Sequence, residues 1–238
     1  MDDRGGQIAP KLSDTKRFLR AWAWKREHLP DKARFHRPYI HKMRSPGTDA
    51  DIQLCISQAA FKQEGFASTV WDSSIVMAKY FERWAGEFRG KRCLDLSAGC
   101  GLVGIVLARL GADVTATDLG PNLTLLAANF AANAAGTSHR VAELRWGEHV
   151  ASVQPPYDVV VACDVMYIEE AAAPLLATLR ALSDGSTAIC VAHGRNRPAE
   201  PTFLQLCDSS FSMQDVPEAE LDDVYQTGDV RVMRLRKL

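Results

Sequence analysis

The sequence predicts an α/β protein: a seven-stranded, mainly parallel sheet with helices on both faces and a C-terminal antiparallel hairpin. Three observations carry this expectation. From residue 92 to residue 209, apolar runs of strand length alternate with segments of helical length, the pattern of successive crossover units. The runs at 159–163 and 188–192 are apolar almost without interruption, as strands covered on both sides require. The last two strand-like runs, 211–221 and 229–236, have no helix between them, so they must pair antiparallel at one edge.

Taken in order, the elements begin near Asp51, where Ile52, Leu54 and Ile56 alternate with polar or small residues as in a half-buried strand. A helix is expected over 72–84, with Asp72 as its N-cap and Met77, Phe81 and Trp84 on one side. Strand 92–97 leads to helix 101–110, closed by Gly111 as a left-handed cap. Strand 113–118 leads to helix 121–134, opened by Pro121 in its first turn. Strands 141–146 and 157–164, helix 171–183, strand 187–193 and helix 201–209 complete the alternation.

The chemistry is expected at Cys93-Leu94-Asp95-Leu96-Ser97-Ala98-Gly99-Cys100-Gly101-Leu102-Val103-Gly104. A strand runs through small residues directly into a helix. Gly99 and Gly101 allow a tight turn and close approach of a ligand to the backbone, and the helix start turns its unpaired N–H groups to the same spot. Gly99, Gly101 and Gly104 match the dinucleotide spacing, a weak signal by itself. Asp95 pulls the other way. Four residues before the first glycine, it would repel a pyrophosphate and attract a cationic amino-acid end, such as that of S-adenosylmethionine; its other role would be to cap the turn. Asp118, ending the next strand, suits ribose hydroxyls, a feature of NAD and S-adenosylmethionine alike.

With these residues in view, the sequence resembles the seven-β-strand, Rossmann-like class I S-adenosylmethionine-dependent protein-lysine methyltransferases that modify chaperones and AAA ATPases. The resemblance covers roughly residues 52–238. It rests on the glycine turn, on Val70-Trp71-Asp72, on Val114-Thr115-Ala116-Thr117-Asp118, on Glu143-Leu144-Arg145-Trp146-Gly147, and on Cys163-Asp164-Val165-Met166-Tyr167-Ile168-Glu169-Glu170. It implies that Trp71 and the backbones of Ser97, Ala98 and Gly99 line the cofactor pocket. It further implies that Asp118 binds ribose, Trp146 packs on adenine, and Cys163 meets the cofactor through its main chain. Asp164 and Tyr167 would be the acid-x-x-aromatic pair beside the departing methyl group. One position departs from the family: Ser97 stands where glycine is usual, which is tolerable if its dihedrals are ordinary. The run Gln154-Pro155-Pro156-Tyr157 precedes a strand instead of following one, and is expected to be only a turn.

The expected activity is therefore methyl transfer to a protein lysine. A small-molecule N- or O-methyltransferase, an NAD-dependent oxidoreductase and a non-catalytic S-adenosylmethionine- or RNA-binding module are the alternatives. The six cysteines form no CxxC pair, which points to reduced core residues and no metal site. No apolar run approaches the roughly 18 residues of a membrane span, and the first residues lack the order of a secretory signal. A monomer in the cytoplasm, with the nucleus as alternative, is the expectation.

Residues 1–50 are expected to be a basic, partly disordered extension ahead of a catalytic domain at 51–238. Between Lys16 and Arg44 ten Lys/Arg face only Glu27 and Asp31, so this stretch carries +8 and the remainder −9 of the net −1. Residues 1–15 read as disordered, 16–28 as a short basic helix, and Pro30, Pro38 and Pro46 as breaks that leave no continuous structure after it. The extension is expected to dock its tryptophans on the domain. Contact with a substrate protein or with nucleic acid through residues 16–44 is the alternative.

Overall fold

The computed structural model describes residues 14–45, 50–59 and 68–238; of the disorder expected over residues 1–15, residues 1–13 lie outside them, while Asp14 and Thr15 open a helix that ends at Trp24, short of the expected 28. Its helices are α1 (Asp14–Trp24), α2 (Asp72–Arg83), α3 (Leu102–Arg109), α4 (Leu123–Asn133), α5 (Ala172–Leu182) and α6 (Glu200–Cys207). Its strands are β1 (Tyr39–Arg44), β2 (Asp51–Ile56), β3 (Arg92–Leu96), β4 (Asp113–Asp118), β5 (His139–Glu143), β6 (Val159–Cys163), β7 (Ala188–His193), β8 (Phe211–Asp215) and β9 (Arg231–Lys237).

Seven strands form one sheet in the order β5-β4-β3-β6-β7-β9-β8. All neighbours from β5 to β7 pair parallel, and β9 is antiparallel to both β7 and β8. The C-terminal hairpin thus inserts its second strand beside β7 and leaves β8 at the edge. Alternation along β6 explains why its sequence is apolar throughout. Val159 and Val161 join the core under α2, α3 and α4, while Val160 and Ala162 join the core under α5 and α6. In β9 the polar interruption at Arg234 is satisfied locally: its Nε donates to the Tyr80 hydroxyl at 3.1 Å, and its guanidinium also pairs with Glu220.

The N-terminal segment is more ordered than its prolines suggest. β1 pairs antiparallel with β2 from Tyr39↔Ile56 to Arg44↔Asp51, so strand structure resumes directly after Pro38. This hairpin spans both sides of the boundary expected at residue 50. Two asparagines one turn apart on α4 hold it to the domain. Asn129 accepts from the Ser57 amide and donates to its carbonyl, both at 2.9 Å. Asn133 treats Cys55 in the same way, at 2.7 and 3.0 Å. Each side-chain amide thereby replaces the partner strand that β2 lacks on that side.

Arg26, 4% exposed, anchors the segment further. Its backbone amide donates to Asp72 Oδ1 at 2.9 Å, and its guanidinium to Gln58 Oε1 at 2.8 Å and to the Val70 carbonyl at 2.7 Å. Asp72 is therefore not the N-cap expected for α2. That place belongs to Trp71, and Asp72 receives the N-terminal segment. Of the tryptophans, Trp24 docks, its Nε1 donating to the Val224 carbonyl at 2.8 Å. All six cysteines are free. Among the described residues no helix is long and apolar enough to cross a membrane, and no His/Cys/Asp/Glu group is arranged to hold a metal.

Candidate active site

The turn after β3 is built from left-handed residues. Ser97 has φ 59°, Gly99 56° and Gly101 83°. The first value means that the condition for tolerating serine at position 97 is not met: serine occupies a conformation that costs a side-chain-bearing residue about 1–2 kcal/mol. Its hydroxyl has a partner there, accepting from Trp146 Nε1 at 3.0 Å. At Gly101, the N-cap of α3, a Cβ would stand 2.7 Å from Leu126 Cδ1 and 3.1 Å from Phe130 Cε2. Gly101→Ala is expected to cost roughly 2–4 kcal/mol, from the left-handed φ and the clash together. Urea unfolding with an unchanged m value measures it.

Two of the residues expected at the cofactor lie outside the cavity lining. Gly101 packs against α4, outside the cavity. Asp95 lies beneath the turn, 2% exposed, and its Oδ2 accepts from the Gly104 amide at 2.8 Å. It caps the first turn of α3 and does not line the cavity. Burial pushes its carboxyl up to about 7; the Gly104 N–H pulls it down and the Asp118 charge pushes it up. The folded state therefore holds a proton that an unfolded Asp, near 3.8, has released. Its stabilising effect is complete below pH 4 and fades as pH rises to about 7. Asp95→Asn keeps an acceptor for Gly104 without this slope, so its stability should gain on the wild type across that interval, which urea unfolding at both ends of it checks.

The other nine expected residues converge. Trp71, Ser97, Ala98, Gly99, Asp118, Trp146, Cys163, Asp164 and Tyr167 line one cavity of about 590 Å³ at the carboxyl ends of β3, β4 and β6. Asp118 ties two strand tips together. Its Oδ2 accepts from the Gly99 amide at 2.8 Å, and its Oδ1 from the Leu119 amide at 2.8 Å and Asn122 Nδ2 at 2.7 Å. With about four acceptor positions on a carboxylate, one remains for a ligand. Trp71 opens α2 beneath the Arg34 guanidinium, 5.2 Å from its ring centroid. Trp146 lies three residues past the end of β5, which stops at Glu143, short of the expected 146.

Asp164 follows β6 with φ 53°, a conformation aspartate tolerates better than most residues. Its amide donates to the Ala192 carbonyl at 2.7 Å. Its Oδ1 accepts from the Gly194 amide at 2.7 Å and its Oδ2 from the Ser73 hydroxyl. Burial raises its carboxyl above the ordinary range, opposed by the Ser73 and Gly194 bonds and assisted by the Asp72 and Glu27 charges. Tyr167 is raised as well, by burial and then by Asp118, and stays a neutral phenol. The lining also includes Ser74, Asn122 and Asn196, which sequence reasoning missed. The position of Asn122 in the first turn after Asp118 was the one available signal.

A model of the lysine methyltransferase family matches residues 49–210. The chain belongs to the lysine methyltransferase family. Its members are S-adenosylmethionine-dependent enzymes that methylate protein lysines. Relatives of this lysine methyltransferase include the protein N-lysine methyltransferase METTL21A of Danio rerio, 35% identical over 190 residues, or 78% of this chain and 87% of the relative. Another is EEF1A lysine methyltransferase 3 of Mus musculus, 36% identical over 169 residues and covering 68% and 71%. Solved structures share the fold at low identity. The Thermus thermophilus 16S rRNA N2 G1207 methyltransferase aligns with TM-score 0.58 and 17% identity over 85% of this chain and 51% of its own. A TehB-like methyltransferase from Corynebacterium glutamicum aligns with TM-score 0.55 and 21% identity over 68% and 87%.

Proposed function

We propose that this lysine methyltransferase holds S-adenosylmethionine in the 590 Å³ cavity and presents its methyl group to a protein lysine at the Asp164 end. The observation that carries the assignment is the convergence of Asp118, Trp146, the Ser97–Gly99 turn, Asp164 and Tyr167 on one cavity. The residues fit the cofactor in kind. The half-buried Trp71 and Trp146 offer apolar faces, Asp118 keeps an acceptor position for a ribose hydroxyl, and the volume lies within the range of small-molecule sites. When bound, the cofactor supplies an electrophilic methyl group on a sulfonium.

Everything else falls to the chain. Ser97, Ala98 and Gly99 let the backbone approach the ligand, and Trp146, pinned by Ser97, covers the base. Asp164 attracts and aligns the amine. A lysine with pKa near 10.4 is neutral in only about one molecule per thousand at pH 7.4, so the amine must lose a proton, here to water, before transfer. Tyr167 walls the channel and excludes bulk solvent, and alignment supplies most of the rate.

Ser97 gives a test of the cofactor end. Ser97→Ala keeps the strained φ and loses the Trp146 bond, and should weaken cofactor binding about three- to tenfold. Ser97→Gly also relaxes the turn, and should be about 1 kcal/mol more stable than the Ala variant. Calorimetric titration and urea unfolding separate the two effects.

The acceptor is tested by incubating the enzyme with methyl-labelled S-adenosylmethionine and, separately, total protein, total RNA and metabolites. Label in protein supports the proposal, and label confined to RNA or metabolites overturns it. Elongation factor 1A, named for the murine relative, and chaperones and AAA ATPases, named by the sequence resemblance, are the first purified acceptors to assay.

A further inference from the structure

A second and larger concavity, about 860 Å³, lies beside the cofactor cavity. One wall is α1 and the residues after it, through Phe18, Trp22 and Glu27. The other is the start of β9 and the loop leading to it, through Val224 and Asp229. Sheet register puts this groove at the same edge of the sheet as the cavity. His193, ending β7, pairs with Arg231, and the Val216 amide bonds the Val232 carbonyl, just as the Asp164 amide bonds the Ala192 carbonyl. The two concavities are divided by one stretch of chain: Arg195 lines the groove and the next residue, Asn196, lines the cavity.

The dividing residue before them, Gly194, stands close to a carboxylate of each site. A Cβ there would stand 3.5 Å from Asp164 Oδ1 and 3.9 Å from Glu27 Oε1. The Asp164 carboxylate and a carboxylate of the N-terminal segment therefore both lie close to Gly194. Glu27 is otherwise 3.5 Å from the Lys25 ammonium, which also pairs with Asp229. At the outer end, Phe18 and Trp22 stack at 5.8 Å and stay 61% and 51% exposed.

We propose that this groove docks the segment of the acceptor protein that carries the target lysine, with Phe18 and Trp22 holding an apolar neighbour and Glu27 receiving the lysine ammonium ahead of Asp164. The inference rests on the protein-lysine activity proposed above and adds where the acceptor binds. Residues 14–45 precede the span matched by the family model, so this wall is supplied from outside it. Charge favours a polypeptide over a nucleic acid. The groove's lining carries five acids, Glu27, Asp215, Glu218, Asp223 and Asp229, against the four cations Arg20, Lys25, Arg195 and Arg231, and the last three are paired with acids, so no basic stripe is left to follow a phosphate backbone.

The test compares the wild-type chain with the double variant Phe18→Ala/Trp22→Ala and with Glu27→Gln. Calorimetry reads S-adenosylmethionine binding, and transfer of label to total protein and to total RNA reads activity. The exposed aromatics are removed at no cost to the core, so the double variant should fold. Each variant is expected to bind the cofactor within about twofold of the wild type while losing about tenfold or more of transfer to protein. Wild-type transfer in both variants overturns the groove and leaves the activity standing. Parallel loss of cofactor affinity also overturns it, because the groove would then not be separate from the cavity. A wild-type enzyme that labels RNA and not protein overturns both proposals.

Discussion

Asp164→Asn is expected to lower methyl transfer about a hundredfold or more while leaving S-adenosylmethionine affinity within a few-fold of the wild type. Asparagine is nearly isosteric and tolerates the φ of 53°. Its carbonyl can still accept from the Gly194 amide. What it lacks is the charge that draws in an ammonium and holds the neutral amine in line. Single-turnover transfer and calorimetry on the same preparation separate chemistry from binding. Burial raises the Asp164 carboxyl, so activity that needs the carboxylate should fade on acidification at a higher pH than for a solvated aspartate. Asp164→Asn should lose that acidic limb. Retained turnover would remove Asp164 from the reaction.

Asp118→Ala has the opposite signature. It strips the acceptor from the Gly99 and Leu119 amides and from Asn122, and it deletes the acceptor position offered to a ribose hydroxyl. Hydrogen bonds to a charged group are worth about 1.5–3 kcal/mol each, so cofactor binding should weaken about a hundredfold. A ligand that binds only the folded state raises the melting temperature by mass action. Saturating S-adenosylmethionine should therefore raise Tm in the wild type and hardly at all in this variant. An equal rise in both would place the ribose elsewhere.

Much of the fold was legible because it depends on period and order. The continuous apolar runs of β6 and β7 can only be strands buried on both faces, and the missing crossover before β9 forces an antiparallel pair. The N-terminal segment was not legible, because what orders it is neither periodic nor local. β1 is made by pairing with β2, and β2 by two side-chain amides on a helix more than 70 residues away. At the site, residue types that recur at strand tips were found, while their division of labour was not. Asp95 and Asp118 are both buried acids near glycine turns, and only the partners each one faces, the Gly104 amide beneath the turn or the Gly99 and Leu119 amides at the cavity, separate the helix cap from the cavity wall. The bond that accompanies serine at the strained position 97 lies with an indole 49 positions on, beyond any local pattern.

The most direct measurement is mass-spectrometric mapping of the methyl group after the wild-type chain and Asp164→Asn are each incubated with S-adenosylmethionine and total cell protein. The account predicts methylated lysine ε-amines with the wild type and their near-complete loss with the variant. Methyl groups on a non-protein acceptor, or the same lysines modified equally by both chains, would contradict it.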